Sequence, residues 1–187
     1  MRLRLLVVRR SSHLFCVLGL ALAVLGTPLA PVAVQAQQEP QKALESSGSP
    51  FSLDGVRALL ARGDAAAASG NLTEARKFYD QARDASRRLL GFYRDLSGSF
   101  RGLDARIPRE MDQKGRETLE TMAQANLRLA AVFRRQNQPE VAVPLLVEVV
   151  KVMTPANPEG RKAYQNLVEI GFASSPYTAG APASPGG

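Results

Sequence analysis

Between residues 51 and 173 the apolar side chains recur every three or four positions, and the runs stop at residues a helix does not readily cross. That spacing lines one face of a helix, and no useful stretch alternates with the period of two that a half-buried strand needs. The chain is therefore expected to be all-α, built of about five helices packed as antiparallel hairpins. The first runs from about Ser52 to Ser69, capped by Ser52 or Asp54, with Val56, Leu59, Leu60 and Gly63 inward and Gly70 as its stop. Asn71 caps the second, which carries Leu72, Ala75, Tyr79, Ala82 and Leu89 and extends to about Asp95. Ser97–Ile107 reads as a loop.

Pro108 suits the first position of a third helix, where its missing N–H costs nothing. Met111, Gly115, Thr118, Leu119, Met122, Ala125, Leu129, Val132 and Phe133 form its seam to about Gln136. Asn137-Gln138-Pro139 makes a turn into a fourth helix, Pro139–Met153, presenting Val141, Ala142, Leu145, Leu146, Val149 and Val150. Thr154-Pro155 ends it. A short fifth helix opens at Asn157-Pro158-Glu159, carries Ala163, Tyr164, Leu167 and Val168, and closes at Gly171-Phe172.

Residues 1–36 have a different character. Arg2, Arg4, Arg9 and Arg10 precede an apolar run from Leu14 to Gly26, and Val34-Gln35-Ala36 supplies small residues before a polar stretch. This is the layout of a secretory signal peptide, so the chain is expected to be exported, to a periplasm or a thylakoid lumen. Cys16 stands at the start of the apolar run, whereas a lipidated cysteine closes it. Ser11-Ser12-His13 after Arg9-Arg10 is polar where a twin-arginine signal is apolar. The alternative is an uncleaved anchor over residues 14–34, about the length needed to span a bilayer; it would make the chain a membrane-tethered assembly factor. Residues 37–50 read as a flexible linker. Residues 174–187, uncharged and rich in Pro, Ala, Ser and Gly, read as a disordered tail.

Cleavage after Ala36 changes what composition implies. Four of the 24 Lys and Arg leave with the signal and none of the 17 Asp and Glu, so 20 basic residues remain against 17 acidic ones. A nucleic-acid partner loses its electrostatic basis. The single Cys and single His, Cys16 and His13, leave too. Without thiol or imidazole, a disulfide, a Cys/His zinc site, a Ser–His–Asp triad and a cysteine nucleophile are all excluded. No cofactor and no catalytic activity are expected. Glu110, Glu117 and Glu120 interleave with Arg109, Lys114 and Arg116, a pattern of surface pairing. Arg76, Lys77, Arg87 and Arg88 lie within helical reach of Glu74, Asp80 and Asp84. Asn71-Leu72-Thr73 matches a glycosylation triplet, but an Asn between a Gly and a new helix reads as a cap.

Two hairpins share a finer pattern. Gly63, Gly70, Ala75, Tyr79 and Ala82 stand at relative positions 0, 7, 12, 16 and 19, and Ala130, Asn137, Ala142, Leu146 and Val149 repeat those offsets. Each set places a small residue at a helix crossing and an αL-capable residue at the turn. Here the chain resembles tetratricopeptide repeats, through Gly70-Asn71-Leu72-Thr73-Glu74-Ala75 with Tyr79 and Ala82, and through Asn137 to Leu146 with Thr154-Pro155. It is also similar in plan to small exported tetratricopeptide-like proteins of cyanobacteria. Pro144 falls inside the fourth helix, a place where some such repeats carry one. The consensus Trp is missing, and Ala75 and Ala142 stand about two repeat periods apart rather than one.

The resemblance implies a partner protein or peptide held on the concave face of each first helix. The corresponding positions are Arg57, Leu60, Asp64 and Ala67 in one unit, and Gln124, Leu127, Ala131, Arg134 and Arg135 in the other. Arg134 and Arg135 offer forks for a partner's carboxylates, or serve only as helix-end charges that counter the dipole. The Asn and Lys clamp of co-chaperone repeats is absent. Oligomeric state is open.

Overall fold

In a computed structural model, described here for Ser49 and residues 51–178, the chain is all-α. Five helices follow one another: α1 (Leu53–Ala68), α2 (Leu72–Ser99), α3 (Arg106–Arg135), α4 (Pro139–Met153) and α5 (Pro158–Glu169). The signal-peptide reading, nearly all of the linker and the last nine residues of the expected tail fall outside the described residues. Consecutive helices pack as hairpins, while α1 also touches α3 and α3 touches α5. The odd-numbered helices therefore stand side by side, with α2 and α4 behind them.

The caps follow the chemistry of their residues. Ser52 Oγ accepts the Gly55 N–H at 3.0 Å and Asn71 Oδ1 accepts the Glu74 N–H at 3.1 Å. Three helices end in one left-handed turn. Gly70, Asn137 and Gly171 have φ of 82°, 58° and 79°. The next N–H folds back in each case to the carbonyl five residues earlier, Asn71 to Ala66, Gln138 to Phe133 and Phe172 to Leu167, each at 2.9 Å. This is the bond that closes a Schellman cap.

The core lies where the seams place it. Ala75, Ala82, Ala130, Ala142, Leu146 and Val149 are all fully buried, with Tyr79 nearly so, and Gly63 is buried among them. A methyl group added at Gly63 would lie 2.3 Å from Tyr79 Cε1. Glycine is required there because the Tyr79 ring occupies the space of a side chain.

Three expectations need correction. The loop is shorter than Ser97–Ile107: α2 runs on to Ser99 and α3 begins at Arg106. Hairpin packing overrides the weak local signal at Gly98, since Ser97 is buried and its Oγ donates to Asp112 on α3 at 2.9 Å. Pro108 consequently sits in the first turn of α3 but not at its first residue, still among N–H groups that have no helical acceptor. Val141 is not an inward residue; it is 38% exposed. Packing also runs past Ala173. Tyr164 Oη donates to the Ser175 carbonyl at 2.8 Å, and the Tyr164 and Tyr177 rings meet edge-on at 6.4 Å.

Pro144 is accommodated inside α4 with its ring exposed. An interior proline costs about 3 kcal/mol, offset by about 0.4–1 kcal/mol through its restriction of the unfolded chain. Pro144→Ala is accordingly expected to raise stability by about 2–2.6 kcal/mol in urea titration. Unchanged or lower stability would show that α4 accommodates Pro144 without that penalty.

Candidate interaction cleft

Between α3 and α5 lies an open cleft of about 580 Å³, lined by Gln124, Leu127, Arg128, Ala131 and Arg134 from α3 and by Pro158, Glu159, Lys162 and Asn166 at α5. The 3.6-residue period of α3 aims Gln124, Leu127, Ala131 and Arg134 the same way. Leu127 is nearly buried and forms an apolar floor, while Ala131 is exposed. A small residue at 131 keeps the cleft open.

The structure brings together four residues of the second predicted set and disperses the first. Leu60 is 4% exposed and belongs to the core, so it is not available to a partner. Arg57 pairs with Asp54 at 3.3 Å and approaches Glu117 at 4.0 Å, away from the cleft. Asp64 reaches its edge indirectly. One carboxylate oxygen accepts Tyr79 Oη at 2.7 Å and Arg128 Nε at 2.8 Å, joining α1, α2 and α3 at a single atom. Arg135 extends back to the Ala67 carbonyl at 3.4 Å.

Arg134 is also engaged within the chain. Its guanidinium donates to Asn166 Oδ1 at 2.7 Å and pairs with Glu169 at 2.9 Å, tying α3 to α5 along one wall. Gln124, Glu159 and Lys162 are different: their side chains make no hydrogen bond or ion pair among the described residues. They are the polar groups open to a ligand. Glu159 and Lys162 escape a reading from sequence that treats the fifth helix only as a cap. The signal that exposes them is the helical period, which puts 159, 162 and 166 on one face.

Charge holds the cleft edge in place. Partial burial works to raise the Asp64 pKa, but the hydrogen bonds from Arg128 and Tyr79 outweigh it, leaving the carboxyl below its ordinary 3.8. Burial, and then the bond to Asp64, raises the Tyr79 phenol above its ordinary value of 10. The depressed carboxyl stabilises the fold above the unfolded-state value and loses that contribution as pH falls through the folded-state value. Because Asp64 is half exposed, the effect is about 1 kcal/mol or less. The stability advantage of wild type over Asp64→Asn is therefore expected to be flat above about pH 5 and to shrink below about pH 4. Parallel pH curves for the two proteins would exclude the coupling.

A second network lies behind the cleft. Arg87 donates to both oxygens of Glu148 at 2.8 and 3.0 Å, and fully buried Asn126 donates to the same carboxylate at 3.1 Å. Helical spacing puts Arg87 within reach of acids on its own helix; it instead spans to the partly exposed Glu148 carboxylate on α4, which also accepts from Asn126. Arg76–Asp80 and Lys77–Glu74 do pair locally, at 3.6 and 3.8 Å.

Among the described residues no group of three or more His, Cys, Asp or Glu could hold a metal ion, and no helix is long and apolar enough to cross a membrane. No protein family, curated protein or solved structure matches the chain.

Proposed function

We propose that this chain is an exported, non-catalytic adaptor that holds an extended segment of another protein along the α3–α5 cleft. The observation that carries the reading is the convergence of Gln124, Leu127, Ala131 and Arg134 on one open cleft, where Gln124, Glu159 and Lys162 remain unengaged. An apolar floor with a few convergent polar groups is the usual make-up of a recognition site. The cleft is preformed by Arg134 and its two α5 partners, so little ordering free energy is lost on binding.

The tetratricopeptide-like plan is part of this proposal and rests on the sequence, on the matching offsets that begin at Gly63 and at Ala130. Export rests on the arginine-rich start, the apolar run and the small residues before Gln37. The near balance of charge after Ala36 favours a protein over a nucleic acid.

The test is selection of peptides from a random display library on the purified protein. Ala131→Trp, which fills the cleft, and Lys162→Glu, which reverses its free cation, are each expected to weaken a selected peptide at least about tenfold, or about 1.4 kcal/mol. Val147→Glu, outside the cleft, leaves affinity unchanged. Failure to enrich any peptide, or indifference to Ala131→Trp, would remove the reading.

A further inference from the structure

The two ends of the helix stack are finished differently. At one end α5 covers α4. At the other, no described helix covers the outer face of α1 and α2. A groove of about 360 Å³ runs between them there, lined by Gly55, Ala58, Leu59, Arg62, Ala85 and Arg88 among others. It leads to Phe51 and Phe92, whose rings meet at 6.1 Å while each remains half exposed, and to Leu96, 43% exposed. The cause is a mismatch of length: α1 has 16 residues and α2 has 28, so the outer stripe of α2 continues past the start of α1. Stacked helical repeats need a polar outer face at each terminus to stay soluble; here Arg62, Gln81, Asp84 and Arg88 line the groove, but Phe51, Phe92 and Leu96 leave an exposed apolar patch beyond it.

Two further observations say what covers it. Gly91 sits in the middle of α2, where glycine costs about 1 kcal/mol relative to alanine. A side chain there would meet nothing within 4 Å inside the molecule, so the fold itself does not require it. Arg88 and Asp95 flank Gly91 and Phe92 on one side of α2, seven residues and nearly two full turns apart. Arg88 makes only a long bond, 3.4 Å, to the Asp84 carbonyl, and the Asp95 carboxylate has no ion pair among the described residues.

We infer that a second copy of this chain packs on the face, with the two α2 helices antiparallel about a two-fold axis through Gly91 and Phe92. An antiparallel two-fold brings residue 88 of each copy opposite residue 95 of the other, because both stand equally far from the axis on the same flank. Two Arg88–Asp95 pairs form, Gly91 allows close approach, and Phe51, Phe92 and Leu96 are covered. The chain preceding α1 is a poorer occupant. On the proposed cleavage after Ala36, what remains from Gln37 to Ser49 offers only Ala43 and Leu44 as apolar side chains beside Pro40.

The reciprocal charges make the test sharp. The full chain is expected to be dimeric by light scattering. Arg88→Asp opposes two acids at each pair and Asp95→Arg two bases, so each single variant has half the wild-type mass. Mixing the two variants restores a dimer, as does the double variant R88D/D95R. Circular dichroism should be the same for all, since both positions are exposed. A common mass for every protein, or a mixture that stays monomeric, would overturn the inference. So would a monomeric wild type that loses thermal stability on Leu96→Asp, which would place a segment of the same chain on the face.

Discussion

Leu146→Ala is expected to lower stability by about 2–5 kcal/mol, the range for truncating a fully buried leucine where the surroundings relax only in part. Leu146 is 0% exposed and stands on α4 at the offset that Tyr79 holds on α2. The first hairpin opposes a large ring to a glycine, and the second places an intermediate side chain at the offset that pairs with Ala130. If the two hairpins share one packing plan, removing Leu146 leaves a void that Ala130 is too small to fill. Urea unfolding measures the loss directly. A change below about 1 kcal/mol would mean that α3 and α4 close over the gap, and that the second hairpin is not held as the first one is.

Ala75→Leu and Ala142→Leu probe the same plan from the opposite side. Both alanines are fully buried, and each added isobutyl group is expected to cost about 1–3 kcal/mol by overpacking. For a domain of this size that is a fall of roughly 3–15 °C in melting temperature. The two costs should be nearly additive, because the sites lie in separate hairpins. Unchanged melting temperatures for both would contradict the idea that small residues set the helix crossings.

The fold was legible in the sequence wherever local chemistry and apolar period agreed. Gly70, Asn137 and Gly171 end helices because their backbones adopt positive φ, and the offsets from Gly63 and Ala130 lead to buried positions in both hairpins. Legibility failed where tertiary packing won. Gly98 suggests a break, yet Ser97 and Asp112 hold the α2–α3 hairpin together beyond it. A shared opening also went unseen: Ser49-Pro50-Phe51-Ser52-Leu53-Asp54-Gly55 and Thr154-Pro155-Ala156-Asn157-Pro158-Glu159-Gly160. In each, the carbonyl of the first residue lies where a Cβ on the last would be, at 1.9 Å. Glycine is needed at both 55 and 160 for that reason.

The candidate cleft was half legible. Helical period alone groups Gln124, Leu127, Ala131 and Arg134. The same period already turns Leu60 inward, against its place in the concave set, but it does not reveal that Arg134 is held by Asn166 and Glu169, 32 and 35 residues further on. Those contacts depend on which helices become neighbours. The residues left open, Gln124, Glu159 and Lys162, are identified by what the rest of the fold leaves unused.

The most direct test of the central claim is site-specific photocrosslinking in the native host, with a benzophenone side chain placed at the cleft rim, at residue 158, or at residue 147. Pro158 is exposed at the edge of the cleft, whereas Val147 is 41% exposed on α4 outside it. A partner protein joined through 158 and not through 147, with the adduct lost on Lys162→Glu, is the expected result. Equal crosslinking from both positions, or crosslinking from 147 alone, would contradict it.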